Sequence, residues 1–330
     1  MSLKLGKLTF MKLVPIGLVL LLVVAACGSP SAEEKAIAAT VIDTDLVRFD
    51  ARFAKATAAD IPQLKQEFPL FFPARFPDSI WEQRIQDTLQ QQLNQAVLDA
   101  FPEDGALEED LYDLLRHVKY YFRDFQPPSI IYTTTSDVDY RTRVIATDTL
   151  LILELDTYLG PEHEFYLGIP RYIAENLKPG QILPDVATAY SKQFITIPKQ
   201  RSLIEQMVYF GKQLYLMDLW LPNLPDHEKI GYSQEQFQWA LDNETDMWRY
   251  FVEKELLYST DPKLTGRFIS PAPFSKFNLE IDNESPGRLG RYMGWQIVRS
   301  YMEQNEASLD RLMALDGETL FKESKYKPKR

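Results

Sequence analysis

Any chemistry in this chain has to come from carboxylates, because other donors are scarce: its 330 residues include three histidines and a single cysteine. A zinc site of the H-E-x-x-H kind needs imidazoles at i and i+4. One helical turn then brings both onto one metal, with the glutamate as general base. His163-Glu164 is followed at i+4 by Leu167 and His227-Glu228 by Gly231, so neither pair supplies a second ligand. His117, with Asp113 and Tyr121 as its i±4 neighbours, reads as an ordinary surface or hydrogen-bonded histidine. Glu244 falls in the middle of an apolar stripe, where an acid must find a partner, bind a metal or go neutral. Pairing to a nearby arginine or backbone donor would satisfy it without any reaction. Glu154 and Asp156 share a strand face and could form an acid pair. Asp137-Val138-Asp139 and Glu280-Ile281-Asp282-Asn283-Glu284 suit either Ca²⁺ or a solvated strand edge. The chain contains no G-x-S-x-G elbow, P-loop, G-x-G-x-x-G or EF-hand loop.

The elements that must position these acids are mostly helical. Trp81, Ile85, Leu89, Leu93 and Val97 recur every four residues and predict one helix; Leu111, Leu114, Leu115, Val118 and Phe122 predict a second, within Leu107 to Phe125. Val41 to Phe49 fits a first strand or the start of a helix. After Pro127-Pro128, Ser129–Thr134 is β-branched and aromatic, and Thr142–Asp156 carries aliphatics around a turn at Asp148. These segments read as a small antiparallel sheet. Helices resume near Pro184. From Leu203 onward, Leu203, Met207, Phe210 and Leu214 make one apolar face and Ile204, Val208, Tyr215 and Leu219 another, so this helix is expected to run through the interior, with Glu205 and Lys212 at its remaining edge. Ser233 and Gln236 form a capping-box signature ahead of a helix reaching Leu257. Gly290 and Gly294 share one face of a third helix. Each costs ~1 kcal/mol against alanine, which points to close approach of another backbone. The basic tail Lys322–Arg330 reads as a solvated end. The layout is helices, one small sheet, then helices: α+β, helix-dominant.

Lys4, Lys7 and Lys12 precede an apolar run from Leu13 to Val24 that ends in Ala25-Ala26-Cys27-Gly28. The run is short for a spanning helix, which needs ~20 apolar residues; with its flanks it has the form of a signal peptide over residues 1–26. The cysteine after small residues resembles the lipobox of bacterial lipoproteins. That resemblance implies a diacylglycerol with palmitate-type chains on Cys27, left as the first mature residue. One acyl chain holds only marginally, so a multi-chain anchor is expected to be permanent. Residues 27–40 then form the lipidated cysteine and a flexible tether, and 41–330 a single globular domain. Removing the signal lysines takes the formal charge from −11 to −14. So acidic a body argues against nucleic acid and against anionic lipid beyond the anchor.

Several blocks together resemble the GldB family of gliding-motility lipoproteins of Bacteroidota: Met207-Val208-Tyr209-Phe210-Gly211-Lys212, Leu219-Trp220-Leu221-Pro222, Pro271–Phe277, Ser285-Pro286-Gly287-Arg288, Gly294–Tyr301 and the strand end Leu153–Gly160. The resemblance spans essentially the whole mature chain. It implies an envelope-anchored accessory of the gliding apparatus, with gliding-machinery or type IX secretion proteins as partners. It also implies a periplasmic face, with Gly28 rather than Asp after the cysteine favouring the outer membrane. The family is in turn distantly similar to zinc metallopeptidases, which implies a zincin-like single domain. Aligned so, Glu205 takes the general-base position, Ile204 and Val208 the two ligand positions, and Glu244 the third. Ile204 and Val208 carry no lone pair, so the expectation is a non-catalytic protein with no catalytic residue, no metal and no cofactor other than the lipid on Cys27. Two readings compete: a cryptic hydrolase working through Glu205, Glu244, Glu154 or Asp156, and a peptide- or glycan-binding module using Trp220, Trp239 or Trp248. The anchor has a direct test: Cys27→Ser should abolish incorporation of labelled fatty acid and move the protein out of the membrane fraction.

Overall fold

The computed structural model describes residues 31–102, 105–279 and 282–328; Cys27 and the signal segment lie outside the described residues. Among the described residues, 31–40 belong to a unit apart from the body. In it, α1 (Ala32–Ala38) opens on a capping box: Ser31 Oγ accepts the Glu34 N–H at 3.0 Å and Glu34 accepts the Ser31 N–H at 2.6 Å. Part of the stretch expected as a flexible tether is therefore helical, since Ala, Glu and Lys are strong helix formers behind a serine cap.

From Val41 the body is helix-dominant around one small sheet. The undecided first segment contains β1 (Asp45–Arg48), which runs directly into α2 (Phe49–Ala54) and α3 (Ile61–Glu67). The helix expected over Trp81–Val97 is two: α4 (Asp78–Gln86) and α5 (Thr88–Ala100). Asp87 parts them, its carboxylate capping the Gln90 N–H at 2.8 Å. The break rotates α5 so that Gln90, Leu93, Asn94 and Val97 are buried and Leu89 is 62% exposed. Next, α6 (Leu107–Tyr121) buries the face its periodicity marks.

The sheet comprises β1, β2 (Ile130–Thr134), β3 (Val144–Ala146) and β4 (Leu150–Glu154) in the order β1-β2-β4-β3. The antiparallel expectation needs correcting: β1–β2 and β2–β4 are parallel, and only β3–β4 is antiparallel. The local reading took the segments as antiparallel neighbours, but β3 lies on the far side of β4, so β2 meets β4 in parallel. β1, separated from β2 in sequence by α2 to α6, pairs with the other edge of β2. The parallel strands are covered on both faces, as such strands must be. Ile131, Leu151 and Leu153 enter the main core, while Tyr132 meets an aromatic cluster of Phe49, Phe53, Phe68 and Phe72. Order and direction together have a consequence. The chain leaves the carboxyl end of β2 and must enter β3 beyond β4, so residues 135–143 arch over the carboxyl end of β4.

Helices follow: α7 (Arg171–Ala174), α8 (Ile182–Phe194), α9 (Leu203–Trp220), α10 (Asp226–Ile230), α11 (Gln234–Asp242), α12 (Glu244–Glu253), α13 (Lys263–Phe268), α14 (Leu289–Gln304), α15 (Leu309–Ala314) and α16 (Gly317–Ser324). The capping box at Ser233 is present, but the helix expected to reach Leu257 breaks at Asn243, so Glu244 begins α12 rather than sitting mid-stripe. The two-faced α9 is interior as expected; Glu205 and Lys212, expected at its edge, are buried as well.

α9 and α14 are the central pair, and their glycines set the distance between them. A Cβ on Gly294 would lie 1.8 Å from the Met207 carbonyl oxygen, and one on Gly211 2.3 Å from the Gly294 carbonyl. At the α10 end, Asp218 accepts from the Trp295 indole at 2.9 Å and from Arg299 at 2.7 and 2.8 Å. Lys229 and Asp226 complete a charge-balanced network there. The packing is testable. Gly294→Ala should cost about 3 kcal/mol or more, since backbone blocks the new methyl. Gly266→Ala, at an exposed position of α13 with nothing within 4 Å of the new methyl, should be neutral or stabilise by up to about 1 kcal/mol. Urea unfolding of the two variants checks the contrast.

Candidate functional site

The positions aligned to a metallopeptidase helix are turned to structural use. Ile204 and Val208 are buried in the main core. Glu205, 4% exposed, accepts the N–H of Gly317 at 2.9 Å and of Glu318 at 3.3 Å, so it caps the start of α16 from another helix. The contact is tight enough that Gly317 must be glycine: a Cβ there would lie 2.8 Å from Glu205 Cα. Helix N-termini favour negative charge, which accounts for a buried carboxylate here without a metal. Beside it Lys212 donates to the Met313 and Leu315 carbonyls at 3.2 and 2.6 Å. Burial pulls its pKa down to about 8, against the attraction of Glu205 and Asp316. Glu244, 2% exposed, accepts from the hydroxyls of Tyr292 and Tyr326, both at 2.7 Å. Two phenols are thus among its partners, which the expectation of an arginine or backbone donor did not include. Burial, with the Glu244 charge, raises both tyrosines, so each remains a donor. Tyr326 also means that the tail is not simply solvated.

The histidines stay apart. His117 Nδ1 lies 2.8 Å from the Asp113 carbonyl, His163 accepts the Phe165 N–H and stacks on that ring, and His227 pairs loosely with Glu228 at 3.8 Å. Among the described residues no group of three or more His, Cys, Asp or Glu is placed to hold a metal ion. Of the second acidic run, Glu280 and Ile281 lie outside the described residues, while Asp282 accepts three backbone N–H groups of its own turn. Trp220 is core; Trp248, half-buried, packs on Phe321 and Tyr326. Trp239 lines a cavity of about 400 Å³ with Tyr250 and Phe277.

A different place gathers groups the sequence left separate: the carboxyl ends of the parallel strands. Asp50, just past β1, accepts from Arg48 at 2.7 and 3.0 Å and from the Thr133 hydroxyl of β2. Asp156, past β4 and fully buried, accepts the N–H of Ser136 at 3.0 Å and of Val138 at 2.7 Å from the arching loop. To present those groups, Asp137 and Val138 take left-handed backbone, with φ of 58° and 63°. For a β-branched residue that costs on the order of 1–3 kcal/mol, which the hydrogen bonds to Asp156 offset. Glu154 is 8% exposed. Burial pushes its pKa up to about 7, with Asp156 and Asp139 adding and the Ser136 hydroxyl opposing. Burial also raises Asp156, against its backbone donors. Among the described residues, Glu154 Oε2 and Asp156 Oδ1 have no donor. From α5, buried Gln90 donates to Asn94 at 2.8 Å.

A crevice of about 380 Å³ opens beside this polar layer, bounded by α4 and α5, by Asp137 and Val138 of the loop, and by Phe165. Ligands of open α/β sheets bind outside strand carboxyl ends in this way. The sequence marked Glu154 and Asp156 but missed Gln90, Asn94, Ser136 and Phe165. The signal for the first two was present: Gln90 and Asn94 alternate with Leu93 and Val97 on one helical face. Their burial depended on the break at Asp87.

A family model described as gliding motility protein GldB matches residues 30–328. No curated protein and no solved structure matches the chain.

The raised Glu154 has a measurable sign. Its folded pKa lies above its unfolded value, so the stability it contributes is full below about pH 4.5 and is lost as pH rises through about 7. Glu154→Gln should remove that loss, stabilising the protein by on the order of 2 kcal/mol at pH 8 and little at pH 4.5. Urea unfolding at the two pH values checks it.

Proposed function

The chain belongs to the gliding motility protein GldB family, and we propose that it serves gliding as a non-catalytic accessory, held to the cell envelope through lipid on Cys27. In this reading it is a pseudopeptidase: the run Ile204-Glu205 to Val208, with Glu244, descends from a zincin-like helix that has lost its imidazoles. The observation that carries the reading is where the two acids go. Glu205 caps α16 and Glu244 binds the Tyr326 hydroxyl, so both hold the C-terminal segment 317–326. An acid held by two backbone donors, or by two phenols, is a fixed structural acceptor rather than a base free to activate water. The acidic surface and the span of the family match fit an envelope scaffold whose partners are other gliding or type IX secretion proteins on the periplasmic side, with the outer membrane favoured.

A carboxylate-dependent hydrolase is the second reading. What favours it is Glu154, titrating near neutrality beside Asp156, each with an oxygen lacking a donor among the described residues.

Gliding cells separate the two. Glu205→Gln keeps an oxygen that can accept from α16, and Glu154→Gln keeps the shape of the strand end. Colony spreading and cell tracking should stay within about twofold of wild type for both variants. A variant that is present, anchored and folded yet immotile would instead assign chemistry to that carboxylate.

A further inference from the structure

The crevice at the strand carboxyl ends has a polar side and an apolar side, and nothing in the scaffold reading uses either. On the apolar side stand Leu89, 62% exposed, and Phe165, with Leu93 and Val138 between them. On the polar side the charges are unbalanced. Asp87 and Asp137 line the opening. Behind them, Asp139 acts on Glu154 and Asp137 on Asp156. Arg84 is the only base among the described lining residues. It reaches from α4 across to the loop, its guanidinium 2.6 Å from Asp137. The crevice therefore already seats one guanidinium, on a carboxylate that is itself 65% exposed. Exposed ion pairs of this kind contribute about 0–1 kcal/mol, so the seat is easily exchanged. Two buried carboxyl oxygens nearby, Glu154 Oε2 and Asp156 Oδ1, lack a donor among the described residues.

From this complementarity we infer that the crevice is a docking site for an extended segment of a partner protein, presenting an arginine or lysine beside an aliphatic residue. The cation exchanges with Arg84 on Asp137, and the aliphatic side chain lies on Leu89 and Phe165. The volume, at the low end of the ~300–1,000 Å³ of ligand pockets, suits one or two side chains. A phosphate or nucleotide would meet carboxylates where it needs bases. The site stands whether or not the chain also catalyses a reaction.

The test uses the mature chain from residue 28 and three capped peptides: acetyl-Leu-Arg-Leu-amide and its norleucine and glutamate counterparts. Saturation-transfer NMR reads binding at millimolar peptide. The arginine peptide should bind about threefold more tightly than the norleucine counterpart, a difference of ~0.7 kcal/mol, and more tightly still than the glutamate one. Asp137→Asn should weaken it several-fold; asparagine tolerates the left-handed backbone there, so the fold is kept. Arg84→Ala should tighten it, because the competing guanidinium is gone. Opposite signs for these two variants are the mark of exchange at Asp137, since general damage to the site would weaken both. Equal affinity for the arginine and norleucine peptides, no saturable binding of the arginine peptide, or weaker binding by Arg84→Ala would each overturn the proposal. So would displacement of the arginine peptide by low-millimolar CaCl₂, which would make the site a cation seat instead.

Discussion

The Gly211–Gly294 contact governs the interior of this protein. α9 and α14 approach until backbone meets backbone, and no side chain larger than hydrogen fits between them. That closeness helps to bury α9 on most of its surface. α14 takes one face, while α8 and α16 pack on others. No residue of α9 is fully exposed, and Glu205 and Lys212 are buried and met by main-chain groups. The segment that meets them is the C-terminal one, through the Gly317 and Glu318 amides and the Met313 and Leu315 carbonyls.

The same reasoning links sheet topology to the polar layer at its edge. With β4 between β2 and β3, the loop leaving β2 has to cross the end of β4. The crossing leaves its amides without strand partners, and Asp156 accepts two of them. The left-handed pair Asp137-Val138 is the local cost of that turn. Glu154 is enclosed by the same crossing without gaining an equivalent set of donors, and so it is the carboxyl driven towards neutrality. A single topological feature thus creates two acids raised by burial two residues apart, of which Asp156 is the one anchored by backbone donors.

The two acidic regions are consequently of different kinds. Glu205 of α9 accepts from the C-terminal segment, and Glu244 of α12 from that segment and from Tyr292 of α14, and the geometry is that of a clasp. At the strand ends carboxyl oxygens are left over beside an opening. The proposed scaffold role draws on both: a closely packed body, and an opening on it for another protein to hold.

Much was legible in the residues themselves. The two apolar faces of Leu203–Leu219 required an interior helix, and Gly290 and Gly294 required a close neighbour; both follow from helical period and side-chain volume, which are local. The capping box at Ser233 and the β-branched run at Ile130 were local as well. What only the tertiary structure decided depended on partners far away in the chain. Strand direction followed from β1, 85 residues before its partner β2 in register. The Glu205 donors came from residues 317 and 318, and Glu244 meets Tyr292 and Tyr326. The periodic stripe through Leu89 failed because an aspartate cap broke one helix into two and turned Gln90 and Asn94 inward. Periodicity records which side chains avoid water. Which donor meets a buried acid is a matter of how distant segments cross, and no local pattern carries that.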